Sequence, residues 1–435
     1  MKISKYVHFI EKDGKVLCYS TMHNTIIAVS SNAYQALTSK SLDEFKSKYP
    51  NNYIAFVTNK IVIEDDINEL NELRLRNKME AYYNRHFDLT ILPSMDCNLH
   101  CWYCFEDHVP NSRMNKDVQE RIVKHIQKKV ENREINGLSL EYFGGEPLLD
   151  FNKIAFPLGA ALKSIFVQNN LPFNCIFITN GTLIDDTMIE QLAELDARFQ
   201  ITLDGNKQRH DKIRFKKMNN EGTYQHIVQT IYRLTERIEN TYVNIRINYD
   251  EKTLNCIDEL LDDLSGLDRK KVGIHFERVW QTSNTNTNTN DNVNLKAAIN
   301  LFMANGFQVS YINWHPRSCA CKAERVNQLA VNYDGKVFKC TGRKFTDEHS
   351  DGELDEKGYI QWKAGRLEQR LGNATFENHL CLNCKMLPIC MGPCSQKQID
   401  VGQDNLHNVC SLNTLEMKME EYIEYTYNNM VTANK

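Results

Sequence analysis

The sequence predicts an α/β fold, a parallel sheet that is open or curled into part of a barrel, between a small N-terminal α+β module and a cysteine-rich tail. Three observations carry this. Strand-like runs alternate with amphipathic helical stretches from about residue 87 to 305, and such alternation aligns strands in parallel. The first 85 residues mix short β-like runs with helical segments. Beyond residue 310 the helical period fades, and eight of the 14 cysteines fall in the last 117 of 435 residues.

In the first 85 residues, KYVHFIEK and KVLCYST are joined at Asp13-Gly14, a dipeptide suited to a two-residue hairpin turn. Ser31-Asn32 caps a helix through Ala33 to Leu37, a second helix covers about Leu42 to Lys48, and a strand pair around IAFVTNKIVIEDD leads into ELNELRLRNKMEAYY. The pattern is winged-helix-like. It is similar to peptide-recognition domains attached to enzymes that modify ribosomally made peptides, where a leader peptide adds a strand to a sheet edge beside a helix. A plain α+β extension packed on the rest of the protein fits the same pattern.

Six strands follow: DLTILPSM, LSLEYFGG, CIFITNG, RFQITLDG, YVNIRINYD and VGIHFERVW. Val118, Ile122, Ile126 and Val130 stand at helical spacing in DVQERIVKHIQKKV, and TLNCIDELLDDL repeats the habit. In such a sheet, function belongs at the C-terminal strand ends. SNTNTNTNDN, at 283 to 292, reads as a polar surface loop. The tail is too poor in apolar pattern for a large core, which leaves metal centres to hold it together, and Leu412, Leu415, Met419, Tyr422 and Ile423 line one side of a final helix.

Composition excludes several classes. A net charge of 52 − 56 = −4 offers nothing to nucleic acid, and 25 % charged with 42 % hydrophobic residues describes neither a disordered tail nor a membrane protein. No stretch reaches membrane-spanning length, and MKISKYVHFIEKDGKVL lacks the apolar run of a signal peptide, so a cytoplasmic location is expected. There thiols stay reduced, and the cysteines point to metal ligation or catalysis rather than disulfides.

Cys97-x3-Cys101-x2-Cys104 follows the first barrel strand. Three thiolates on one loop can hold three irons of a cubane and leave the fourth open, although spacing alone also admits zinc. With Tyr103 before the third cysteine, these residues resemble the signature of radical S-adenosylmethionine (SAM) enzymes. Other polar strand ends stand where that family has its motifs: Gly144-Gly145-Glu146-Pro147, Thr179-Asn180-Gly181, Thr202-Leu203-Asp204-Gly205, Arg214 and Asn248. The resemblance implies a partial (β/α)6 TIM-type barrel over 86–309. It also implies a [4Fe-4S] cluster on Cys97, Cys101 and Cys104 that binds SAM. Gly144, Gly145, Glu146 and Pro147 would face its methionine part, Glu146 accepting from the ammonium. Arg214 would pair with its carboxylate, and Asn180, Thr202, Asp204 and Asn248 would contact ribose, amino acid or nucleoside.

The tail, 310–435, carries Cys319, Cys321, Cys340, Cys381-x2-Cys384-x5-Cys390-x3-Cys394 and Cys410. This is similar to the SPASM extension of radical SAM enzymes, which implies two further [4Fe-4S] clusters, three in all; a zinc-ribbon pair is the alternative. Cys381, Cys384, Cys390 and Cys410 would hold the outer cluster. Cys340 and Cys394, with Cys321, Cys319 or both, would hold the inner one. If both of that pair ligate, the inner cluster serves electron transfer, which suits a substrate radical that must lose an electron to finish closed-shell. Cys18, Cys175 and Cys256 lie in apolar contexts and read as core residues.

Sulfatase-maturing relatives place a base aspartate directly after the cysteine that matches Cys340, and here that residue is Thr341. The resemblance therefore implies a maturase of a ribosomally made peptide, with residues 1–85 as leader-binding module. It would install a thioether or carbon–carbon cross-link with an external flavodoxin- or ferredoxin-type electron donor. A formylglycine-forming sulfatase maturase and a non-catalytic metal-stabilised binding protein are the rivals. His100 reads as a loop residue, Glu277 and Arg278 as substrate-facing or paired, and Tyr142 and Trp280 as cavity-lining or packed. No residue is assigned as base.

Overall fold

A computed structural model describes residues 1–279, 289–311, 316–372, 375–414 and 418–433. Trp280, Leu415 and residues 283–288 of the polar run lie outside them; the rest of that run begins the helix Thr289–Ala304 rather than a loop. The chain forms two compact units. One holds Met1–Asn84, Asn313–Val326 and Glu368–Val431, and the other Arg85–Ile312 and Asn327–Leu367 with the last four residues. The stretch 310–435 is thus not a domain of its own.

In the first unit, β1 (Lys2–Ile3) pairs with β5 (Val62–Ile63), while β2 (Val7–Lys12), β3 (Lys15–Ser20) and β4 (Thr25–Ser30) form an antiparallel meander. Asp13 and Gly14 turn β2 into β3 with φ of 48° and 73°, both left-handed as this hairpin turn requires. Three helices follow: α1 (Ser31–Ser39), α2 (Leu42–Lys48) and α3 (Pro50–Thr58), and α4 (Glu69–Lys78) comes after β5. Ser30, one residue before the predicted cap, accepts from Ala33 N at 3.3 Å. The predicted strand pair is replaced by α3 plus two residues of β5. Pro50 at a helix start costs no hydrogen bond, and this overrides the β-like composition of IAFVT. Val7, Val16, Cys18 and Val29 from the sheet meet Ala33, Leu37, Phe45 and Phe56 from the helices.

Elsewhere in this unit the N-terminal elements pack on the cysteine-bearing tail. Tyr6, Met22 and Leu73 share a core with Phe376, Leu387 and Met391, against which Cys381 and Leu382 also pack. Thr21 Oγ1 donates to the Lys385 carbonyl at 2.7 Å, Lys385 Nζ to the Val7 carbonyl at 3.1 Å, and Lys12 pairs with Glu424 at 3.1 Å. Tyr422 and Ile423 of the final helix, Met419–Ala433, are buried as their spacing predicted.

The second unit is built on one sheet. Its strands are β6 (His86–Leu92), β8 (Gly137–Tyr142), β9 (Phe173–Thr179), β10 (Ala197–Thr202), β12 (Val243–Tyr249) and β13 (Val272–Arg278), the six predicted ones, in parallel and in sequence order. The sheet grows beyond them. β14 (Gln308–Tyr311) joins β13, and β15 (Gln328–Asn332) joins β6, both in parallel; β16 (Lys336–Phe338), β17 (Gly352–Leu354) and β18 (Ile360–Trp362) extend it antiparallel. Two short strands, β7 (Leu99–Cys101) and β11 (Arg214–Lys216), pair apart from it. The helix Lys116–Glu131 buries Val118, Ile122, Ile126 and Val130, and Asn115 caps it by accepting from Val118 N at 2.9 Å. TLNCIDELLDDL breaks into two short helices, Glu251–Leu254 and Ile257–Asp263. No described helix is long and apolar enough to cross a membrane.

Two buried histidines tie this unit together uncharged. His125 meets the Gly358 carbonyl at 2.9 Å and burial pushes it down to about 4; His210, under the fourth strand's end, is pushed down by burial to about 3. The unfolded chain would bind these protons near pH 6.5 and the folded one resists them, so stability is full above that pH. Urea midpoints should hold between pH 8 and 7 and fall progressively from about pH 6.5 towards 4. His125→Gln and His210→Gln variants should flatten that slope.

Candidate active site

The three thiols sit on a loop fixed by backbone. After β6, Ser94 Oγ donates to the Ser112 carbonyl at 2.7 Å, and Asp96 accepts from Cys97 N at 2.9 Å and Asn111 N at 3.0 Å. The chain after β8 presses on this turn: Gly145 N donates to Ser94 O at 3.1 Å and Glu146 N to Asp96 O at 2.8 Å. Gly144 adopts φ +108°, and a Cβ there would lie 2.5 Å from Ser94 O, while one on Gly145 would overlap the Asp96 carbonyl. The two glycines allow the close approach expected of them, but between two protein backbones.

Glu146 is 1 % exposed and its carboxylate accepts from Thr179 Oγ1 at 2.7 Å, Asn180 N at 2.8 Å and Leu148 N at 3.0 Å. These bonds clamp the ends of β8 and β9 beside the cysteine loop. Asn180 then donates to Asn98 Oδ1 at 2.8 Å and accepts from Thr182, whose hydroxyl takes the Asn98 amide at 2.8 Å. A polar triangle thus holds the residue between Cys97 and Leu99.

Arg214 reaches the site because β11 pairs with β7, which sets Arg214 opposite Cys101 and stacks Phe215 on His100 at 5.8 Å. Its Nη1 donates to Tyr103 Oη at 2.8 Å; that hydroxyl in turn donates to the fully buried Asp204 and accepts from Asn248 Nδ2 at 3.1 Å. Asn248 N donates to Asp204 Oδ1 at 2.8 Å, and Arg246 Nε to Asn248 Oδ1 at 2.8 Å. Under this network, Asp204 N donates to His210 Nδ1 at 3.2 Å, so the imidazole keeps its proton on Nε2, facing Thr223 Oγ1 at 3.1 Å.

Cys97, Asn180, Asp204, Arg214 and Asn248 therefore converge, while Thr202 stands half-buried at the end of β10 and Pro147 adjoins the Glu146 clamp. The sequence reading missed Asn98, Thr182 and Arg246, and missed Tyr103 as the hub. Arg246 and Asn248 alternate with apolar Ile245 and Ile247, and that period was the available signal. Tyr142 is core, stacked on Phe177 at 4.7 Å, and Glu277 is paired with His275 at 3.3 Å.

The donor set fits an anionic iron–sulfur centre. Burial raises all three thiols, Cys97 to about 12, and the Arg214 guanidinium opposes that rise at each of them. Burial also raises the Asp204 carboxyl, against the pull of Arg214. The Nε of Arg214 is buried with no partner among the described residues.

Residues 91–264 match the radical SAM superfamily profile. That segment is a radical SAM domain. Similar proteins include the radical SAM cyclopropyl synthase TigE of Paramaledivibacter caminithermalis, 22 % identical over 90 % of this chain and 89 % of that one. The cysteine-type anaerobic sulfatase-maturating enzyme of Clostridium novyi is 23 % identical over 70 % and 86 %. In fold, the chain resembles anSMEcpe with AdoMet and Kp18Cys peptide, with a TM-score of 0.57, 19 % identity and coverage of 80 % and 97 %. It also resembles Streptococcus suis SuiB bound to precursor peptide SuiA, with 0.52, 14 %, and 92 % and 96 %.

The other cysteines divide between the units. Cys381, Cys384, Cys390 and Cys410 lie within electrostatic range of one another, every pair included, and burial pushes Cys381 up to about 12. No group of three His, Cys, Asp or Glu among the described residues closes on a single ion. Cys319 is buried, with Asn77 Nδ2 at 3.6 Å from its sulfur; Cys321 opens a short 3-10 turn, and Cys394 caps the helix Ser395–Val401. Cys340 follows β16 in the second unit and accepts from Gly342 N at 3.4 Å. Cys18 and Cys175 are core; Cys256 is half-buried and accepts from Asn206 N at 3.5 Å.

Gly145→Ala should displace the Cys97 loop and cost the enzyme the iron of one cluster, read by iron and sulfide analysis. Tyr103→Phe should leave the fold intact while weakening SAM binding about tenfold, near 1.4 kcal/mol for a lost hydrogen-bonded bridge between charges, measured by titration calorimetry.

Proposed function

We propose that this chain is a maturase of a ribosomally synthesised peptide that forms a thioether or carbon–carbon bond with net loss of two hydrogens. Chain coverage carries the reading. The sulfatase-maturating structure accounts for 97 % of its own length but only 80 % of this chain, leaving a fifth, about 87 residues; SuiB spans 92 % of this chain. The N-terminal module of 84 residues is of that size. TigE, a cyclopropyl synthase, likewise aligns over 90 % of the chain. Thr341, in place of a base aspartate, weakens the sulfatase reading.

In this reading, β2–β3–β4 with α1–α3 is the winged-helix-like leader-binding module. The leader adds a strand beside β4, an edge of its sheet whose start is tied to the end of α3 by Thr25 Oγ1 and the Asn59 carbonyl at 2.9 Å. Ile54, 62 % exposed on α3, is offered to it. When bound, the cluster on Cys97, Cys101 and Cys104 supplies the electron that cleaves SAM to the 5′-deoxyadenosyl radical that takes a peptide hydrogen. Arg214 takes the SAM carboxylate through its free Nε, and Thr202 and Asn248 face the nucleoside. Gly144, Gly145 and Pro147 shape the wall along its methionine part. The Glu146 clamp and the Asn98–Asn180–Thr182 triangle keep the thiols from moving as charge on the centre changes. The tail cysteines hold auxiliary clusters, three clusters in all, and a flavodoxin- or ferredoxin-type protein exchanges electrons with them.

Co-expression with the short peptide encoded beside the gene should yield a product lighter by two hydrogens, seen by mass spectrometry. A sulfatase-derived cysteine peptide converted to formylglycine instead would overturn the reading. Ile54→Asp should weaken peptide binding about tenfold while leaving 5′-deoxyadenosine formation from SAM alone unchanged; equal affinity would remove the module's assigned role.

A further inference from the structure

Arg317 has no part in the SAM site, yet it lies among the auxiliary cysteines. Its backbone N–H donates to the Pro388 carbonyl at 3.1 Å, within the helical turn Leu387–Cys390, and its Nη1 donates to the Ala320 carbonyl at 3.3 Å, between Cys319 and Cys321. Backbone and side chain of Arg317 together thus tie the two cysteine-bearing segments of the first unit. Its Nε–H is buried and has no partner among the described residues. The charges it feels include the Cys390 and Cys321 sulfurs, ahead of the Glu324 carboxylate, with Tyr422 also in range.

A guanidinium does not shed its proton, so burial must be met by an acceptor or an anion. The Ala320 carbonyl satisfies part of the fork and the buried Nε–H is left over. An N–H donated to the sulfur shell of an iron–sulfur cluster favours the reduced, more negative state.

We propose that Arg317 is a positioning residue for the outer cluster: its Nε–H and charge serve the sulfurs around Cys390 and raise the potential at which that cluster accepts an electron. The inference rests on the proposal that Cys381, Cys384, Cys390 and Cys410 hold a [4Fe-4S] cluster. The step balances simply. The peptide radical gives one electron to the auxiliary system and one proton to solvent; the cluster passes from its 2+ to its 1+ state, then returns the electron to the external flavodoxin- or ferredoxin-type protein. A half-buried cation beside the acceptor favours that transfer.

The test needs no peptide. Full-length protein, wild type, Arg317→Lys and Arg317→Met, is reconstituted with iron and sulfide, assayed for both, and titrated with dithionite under electron paramagnetic resonance. Arg317→Met should retain its iron and show one midpoint moved to lower potential, with Arg317→Lys, which keeps the charge without the planar Nε–H, moved in the same direction by less. Full iron with every midpoint unmoved in both variants overturns the proposal. Should Arg317→Met lose the iron of one cluster, Arg317→Lys decides alone: full iron with a lowered midpoint upholds the role, and an unmoved one overturns it. Stoichiometric zinc, or iron for one cluster only, in the wild type overturns the cluster reading itself, a failure distinct from unmoved midpoints.

Discussion

The close approach of two backbones, Ser94–Asp96 after β6 and Gly144–Glu146 after β8, is the constraint on which the SAM site depends. Backbone N–H groups of Gly145 and Glu146 take the carbonyls of Ser94 and Asp96, so the turn that launches the cysteine loop is hydrogen-bonded to the neighbouring strand end with no side chain intervening. A Cβ at either glycine would part them. From this seam the rest follows in order: Asp96 holds Cys97, Glu146 clamps β9, Asn180 reaches Asn98, and β7 is left in place to pair with β11 and bring Arg214 opposite Cys101. Polypeptide geometry, more than side-chain chemistry, sets where the thiols stand.

Electrostatics then acts within a site already rigid. Arg214 and Asp204 are both buried, and Tyr103 stands between them with one hydroxyl serving both. A buried charge pair bridged this way keeps its cation directed at the thiols instead of collapsing onto the carboxylate. The arginine therefore retains an unused donor and a field that favours thiolates, both of which a bound anionic centre with a zwitterionic ligand requires. Asn248 and Arg246 extend the same network along β12, which ties the fifth strand's end to the cluster loop through Tyr103.

Much of this was readable in the sequence, for identifiable reasons. Apolar period reported the six strands and the helix with Val118, Ile122, Ile126 and Val130, because those residues pack against one another wherever the chain goes. Asp13-Gly14 specified its hairpin because few other dipeptides tolerate two left-handed residues. Tertiary context hid the rest. IAFVT is β-like in composition but helical once Pro50 starts it, and TIIAVS is a strand only because β3 lies alongside. Glu146 marks the motif, but two of its three partners, Thr179 and Asn180, lie 33 and 34 residues away, where no spacing rule could find the clamp they form.

The hardest feature to foresee was how the tail divides. A cysteine-rich segment with little apolar pattern reads as a separate metal-held domain, yet Gln328–Asn332 continues the central sheet while 368–431 packs with the first 84 residues. The reason is a shortage of core. The meander and helices at the N-terminus leave Tyr6, Met22 and Leu73 to be covered, and the cysteine loop covers them with Phe376, Leu387 and Met391. Neither partner encloses its apolar surface alone. The N-terminal module and the cysteine-bearing loops are thus one folding unit. Cutting the chain near residue 85 would therefore expose the apolar side of the cysteine loop.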